Sequence, residues 1–165
     1  MNKIRLTLII LFAATGFAKN QPVAAQGNTG IKITTLNTEW LSCTAYGPAD
    51  EELQINNIAA VIRAMDSDII ALQEVGTSGA YATIDTIVRR LGSEWGGNII
   101  PWSNSNCSQN QGIIYKKSTV QFVNSELIRN GGSYSNWSSG RYPALYNVNI
   151  LAGNDVIPVS IVNIH

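Results

Sequence analysis

One histidine and two cysteines in 165 residues leave little from which to build a zinc centre. Cys43, Cys107 and His165 lie far apart in the sequence and lack the paired spacing of structural zinc ligands. Charge is equally scarce, at 13% Asp, Glu, Lys and Arg with eleven residues of each sign. No repeat, linker or low-complexity block divides the chain, so one domain or a piece of one is expected. The apolar stretch Leu6 to Phe12 is followed by small residues to Ala18 and then by polar Lys19-Asn-Gln21. It falls short of the roughly 18 to 20 apolar residues that a membrane-spanning helix needs.

With Lys3 and Arg5 ahead of it, that stretch reads as an export signal. Cleavage could follow Ala18 or Ala25. Ala25 is preferred because Val23 and Ala25 are small and Gln26 to Gly30 then forms a short polar lead. No cysteine near either site supports a lipid anchor. The division expected is therefore a signal peptide over 1–25 and one truncated domain over 26–165, exported to the periplasm or secreted. Loss of Lys3, Arg5 and Lys19 leaves eight basic against eleven acidic residues, a formal charge of −3. An oxidising compartment admits a disulfide between Cys43 and Cys107, with two unpaired thiols as the alternative that sequence alone leaves open.

Ile31 to Leu36 alternates as a strand closing on Asn37. Asp50-Glu-Glu52 supplies a cap and an acidic first turn, and Ile55, Ile58, Ala59, Ile62 and Met65 recur at helical spacing. Ile69 to Gln73 is a near-continuous apolar run, the pattern of a strand covered on both faces. A second helix is expected over about Ala82 to Leu91. Short strands then follow one another: Asn98 to Ile100, Gln111 to Lys116, Val120 to Leu127, Tyr142 to Ile150 and Val156 to Ile164. The last two are joined by a hairpin turn around Gly153-Asn154. Helices early and hairpins late predict an α+β arrangement, a mixed sheet with flanking helices. Asn130 to Gly140 is a polar, glycine-rich loop running into Arg141, read either as the rim of a site or as plain surface; its Asn136-Trp-Ser138 fits a short acceptor pattern for glycosylation.

Four polar residues stand at strand ends: Asn37, Glu74, Arg141 and His165. Glu74 follows an apolar strand, and a carboxylate delivered to the end of a buried sheet needs a cation or a basic partner. A hard divalent ion such as Mg²⁺ (or Mn²⁺) takes few protein ligands, and Glu74 with the amide oxygen of Asn37 would suffice. A structural ion pair for Glu74, a local turn bond for Asn37 and a rim salt bridge for Arg141 are the plainer readings. Arg141 could grip a phosphate, and His165 could act as general acid, base or donor. Tyr115 could aim its hydroxyl at a phosphate or pack at a strand edge, Glu39 could add an outer carboxylate, and Trp40, Trp95 and Trp102 are read as packing.

In this order the residues resemble the endonuclease/exonuclease/phosphatase family, which includes deoxyribonuclease I, abasic-site endonucleases, inositol polyphosphate 5-phosphatases and bacterial sphingomyelinases. The resemblance covers about Ile31 to His165. It rests on Thr35-Leu-Asn-Thr-Glu-Trp40, Asp68-Ile-Ile-Ala-Leu-Gln-Glu-Val75, Gln111-Gly-Ile-Ile-Tyr-Lys116, Arg141-Tyr-Pro143 and Val162-Asn-Ile-His165. It implies a four-layer, deoxyribonuclease I-like α/β sandwich that hydrolyses a phosphoester with a divalent metal. Glu74 and Asn37 would hold that metal, and Arg141 and His165 would position the phosphate. The substrate would be DNA or RNA, a phosphorylated small molecule or a lipid. The family's aspartate-x-asparagine and terminal aspartate-histidine motifs fall beyond His165, and no acid stands on the strand Gln111 to Tyr115 to partner the histidine. The expectation is an N-terminal half, inactive alone, of a longer enzyme; the alternative is a non-catalytic secreted binding module that keeps the fold.

Overall fold

The computed structural model describes residues 6–8, 30–76, 80–102, 107–129 and 141–165. The loop Asn130 to Gly140, with its acceptor pattern, lies outside them, as does most of the expected export signal. In chain order the elements are β1 (Leu6–Leu8), β2 (Ile33–Leu41), α1 (Glu51–Met65), β3 (Ile69–Val75), α2 (Ala80–Leu91), β4 (Trp95–Ile100), β5 (Asn110–Lys116), β6 (Val120–Leu127), β7 (Ala144–Ala152) and β8 (Asp155–Asn163). Two four-stranded sheets result, in the orders β2-β3-β5-β4 and β1-β8-β7-β6.

The sequence explains the layering. β3 is buried along nearly its whole length because both of its faces are covered. Leu72 and Val75 pack with Ile55, Ile58 and Ile62 of α1 and Ile84, Ile87 and Leu91 of α2, while Ile69 faces Val120, Tyr146, Val148 and Ile161 of the second sheet. Helices, sheet and sheet therefore stack in that order. Asp50 caps α1 by accepting from the Leu53 N–H at 2.9 Å, and Glu51 and Glu52 complement the helix dipole. The helix α2 lies close enough to β4 that a Cβ at Gly97 would meet Ile84 Cγ2 at 2.7 Å.

Three features run beyond the sequence pattern. β2 continues past Asn37 to Leu41 through an irregularity in its pairing with β3. β4 starts at Trp95, earlier than its apolar residues suggest, because it pairs with β5 along its full length. The three-residue β1 lies parallel to β8, with Leu6 opposite Val159, inside the segment expected to be removed on export.

β2 and β3 are parallel, with Asn37 opposite Gln73, so their carboxyl ends emerge side by side. β5 runs antiparallel to β3 and begins at that same end, with Asn110 opposite Val75. β8 belongs to the other sheet, and its carboxyl end also arrives there.

Candidate active site

Glu74 is the meeting point. Its Oε1 accepts from Asn37 Nδ2 at 2.9 Å and lies 3.0 Å from His165 Nε2, and its Oε2 accepts from the Trp40 N–H at 3.2 Å. Three chain segments distant in sequence thus converge on one half-buried carboxylate. The backbone bends to allow it: Glu74 has φ +63°, and Glu39, Trp40 and Ser42 have φ +51°, +54° and +65°. Left-handed backbone is uncommon for side chains of this size and gathers at sites that need a set geometry.

The loop that presents the Trp40 N–H is fastened on several sides. Gln54 donates to the carbonyls of Thr38 and Glu39, each at 2.8 Å, and Gly76 N–H bonds Leu41 O. Cys43 and Cys107 are joined, with Cα atoms 5.1 Å apart, which ties this loop to the segment entering β5. Asn110, fully buried, donates to Val75 O at 3.0 Å and accepts from the Trp102 N–H at 3.1 Å.

Burial alone would raise the pKa of Glu74. The Asn37 amide, the His165 imidazole and the Trp40 N–H outweigh that and hold its carboxyl below the usual carboxylate range. His165 moves down as well, because burial and the Arg141 guanidinium together exceed the pull of Glu74. At neutral pH the contact is therefore a hydrogen bond from a neutral imidazole to a carboxylate. Nε2 carries the proton, and Nδ1 is a buried acceptor with no partner among the described residues.

Oε1 of Glu74 receives two donors and Oε2 one, so Oε2 retains an open lone pair. Asn37 Oδ1 accepts from the Glu39 N–H at 2.9 Å and keeps a second lone pair. Open lone pairs on these two hard oxygens suit an ion of the Mg²⁺ class that draws its other ligands from water and substrate. Among the described residues no cluster of three or more His, Cys, Asp or Glu could hold a metal by itself.

Asn37, Glu74 and His165 are brought together, and Arg141 lies within electrostatic reach of His165. Gln111 holds the segment that follows Arg141: its fully buried amide donates to Tyr142 O at 2.6 Å and accepts from the Ala144 N–H at 3.4 Å. Tyr115 does not join them. Because β5 is antiparallel to β3, Tyr115 sits opposite Ile69, about 17 Å along the sheet from Glu74 at the usual rise per residue. Its ring crosses Gly96 and stacks on Phe122 at 6.4 Å in the core between the sheets, where burial pushes its hydroxyl up. Glu39 contributes backbone, through its N–H to Asn37 and its carbonyl to Gln54, while its side chain is exposed. Residue type did not reveal the roles of Gln54, Gln111 and the Trp40 N–H, since two act on backbone and the third is backbone.

No family model and no curated protein matches the sequence. Solved structures do match in shape. D. rerio TDP2 humanized by 14 mutations superposes with a TM-score of 0.57 at 16% identity, over 82% of this chain and 46% of that one. The catalytic domain of human nocturnin with bound sulfate gives 0.56 at 19%, over 80% and 48%. ANGEL2, a 2′,3′-cyclic phosphatase, in complex with adenosine-2′,3′-vanadate gives 0.52 at 14%, over 80% and 40%. The chain has the endonuclease/exonuclease/phosphatase fold. It is the deoxyribonuclease I-like α+β arrangement that the strand-end residues resembled, and the chain spans less than half the length of these three neighbours. Within that fold the described residues contribute strands to both sheets and helices to one outer layer.

Proposed function

We propose that this chain is the N-terminal part of an exported, divalent-metal-dependent phosphoester hydrolase of the nuclease or phosphatase type. The observation that carries the reading is the ionised Glu74 carboxylate, held on left-handed backbone with Asn37 and His165 at 2.9 and 3.0 Å. Support comes also from the names of the neighbours in shape: TDP2 is known with a single-strand DNA product, and ANGEL2 is named a 2′,3′-cyclic phosphatase.

Glu74 and Asn37 would hold the metal through the oxygens that keep open lone pairs. Once bound, such an ion polarises a phosphoryl oxygen and makes water more acidic. Arg141 would bind the phosphate as a fixed cation beside His165. His165 would keep its Nε2 proton on Glu74 and so fix the orientation of the carboxylate that holds the metal. The one carboxylate of the site, Glu74, is committed to the metal in this reading, and the chain spans less than half of each neighbour in shape. The 165 residues alone are therefore expected to be inactive, and the remainder of the enzyme to supply the base.

The test is to assay the full gene product on a generic phosphodiester and on plasmid DNA, with Mg²⁺ and with chelator. Chelator-sensitive hydrolysis, reduced about a hundredfold or more by Glu74→Ala, is the expected result. An inert full product favours the binding-module reading, and activity that survives both treatments would overturn the metal site at Glu74.

A further inference from the structure

We propose that Gln73 and Asn163 are positioning residues: a buried amide clamp across the two sheets that sets the distance between Glu74 and His165. The inference rests on the reading of Glu74 and His165 as partners in one site. Gln73 and Asn163 are each at most 7% exposed, and Gln73 Nε2 donates to Asn163 Oδ1 at 2.6 Å. That bond joins β3 of one sheet to β8 of the other. From Asn163, Nδ2 donates to Leu72 O at 2.8 Å and to Gly112 O at 3.2 Å, so the end of β8 is fastened to β3 and β5 at once. From Gln73, the amide exchanges bonds with Thr35 Oγ1 at 2.8 and 3.0 Å, which extends the clamp to β2.

Position along the chain gives this network its function. Glu74 directly follows Gln73, and His165 stands two residues after Asn163. Beside β8 the sheets otherwise meet through apolar side chains such as Ile69, Ile113 and Ile161, the cross-sheet bonds of Gln111 going to Tyr142, Ala144 and Tyr146 at β7, and apolar contact is not directional. Such a core tolerates a small slide of one sheet over the other. A 3.0 Å hydrogen bond between residues on different sheets does not. Directional amide bonds one and two residues away from the reacting groups remove that freedom, and buried amides make misregister costly because each would lose its partner.

The chain's single histidine makes the test direct, since one imidazole spin system reports the contact. In the intact chain the His165 Nε2–H should appear as a downfield, slowly exchanging proton. Gln73→Met and Asn163→Leu, which keep approximate volume and remove the cross-sheet bond, should each speed its exchange about tenfold or abolish the signal. The double variant should add little, because both changes break the same link. Ser125→Ala is the control: it removes a 2.9 Å bond to Asn98 between β6 and β4, far from the β2 and β8 side, and should leave the signal unchanged. Thr35→Val removes one anchor of Gln73 with little disturbance of packing, and about threefold faster exchange is expected there. Folded amide variants with an unchanged Nε2–H signal would overturn the proposal; so would an unchanged signal in Thr35→Val, should both amide variants unfold. In the full product the same variants should lower kcat with KM nearly constant. If that product is inert while the imidazole signal responds as stated, the clamp stands and the hydrolase reading falls.

Discussion

At the residue scale the site is a carboxylate that three donors keep ionised and an imidazole that its surroundings keep neutral. Both shifts are downward, and their consequence for stability has one sign. Each group binds its proton more weakly in the folded chain, so the unfolded chain holds more protons as the pH drops. The contribution of His165 is complete above its ordinary value of 6.5 and is lost as pH falls through the lower folded value. That of Glu74 is complete above 4.5 and is lost below it. Urea unfolding should therefore show falling stability between about pH 7 and pH 5, and His165→Asn should flatten that slope. A slope that persists in the variant would assign the effect to other groups. Asn37, Glu74, Arg141 and His165 stood out in the sequence because each ends or opens an apolar run. Tyr115 misled for the same reason: a residue at a strand end says nothing about which end of the sheet it occupies until strand direction is known.

At the scale of elements, the parallel pairing of β2 with β3 and the reversal at β5 decide what the site contains. Alternation and apolar runs marked nearly every element, since periodicity follows burial. The irregular continuation of β2 through Glu39, Trp40 and Ser42 could not be read, because left-handed backbone at non-glycine residues leaves no compositional trace. The loop it forms depends on the Cys43–Cys107 bond, which closes 64 residues of chain. Reduction, or Cys43→Ala with Cys107→Ala, should cost about 4 kcal/mol by loop-closure entropy and be read as a lowered denaturation midpoint. The loss should also weaken Glu74, since the strap carrying the Trp40 N–H is released. Equal stability with and without reductant would show that the bond is not formed in the protein as isolated.

At the scale of the whole molecule, the flank at β2 and β8 carries exposed apolar surface and open strand edges. Leu53 and Val61 on α1 are 54% and 42% exposed, and Val156, Ile157 and Ile164 along and just beyond β8 are 58%, 43% and 50% exposed. The outer edge of β2 has no paired strand among the described residues, and that of β8 has only the three residues of β1. Open edges beside apolar surface favour association. Sedimentation at increasing concentration should show the chain self-associating. A monodisperse isolated chain would indicate that this flank needs no cover.

The central claim is that Glu74 anchors a divalent metal beside His165, and Mn²⁺ tests it in the chain as it stands. A bound paramagnetic ion at Glu74 should broaden the His165 ring signals before any others, with chelator restoring them and Glu74→Ala abolishing the effect. Broadening that spares His165, or that is unchanged in Glu74→Ala, would contradict the account.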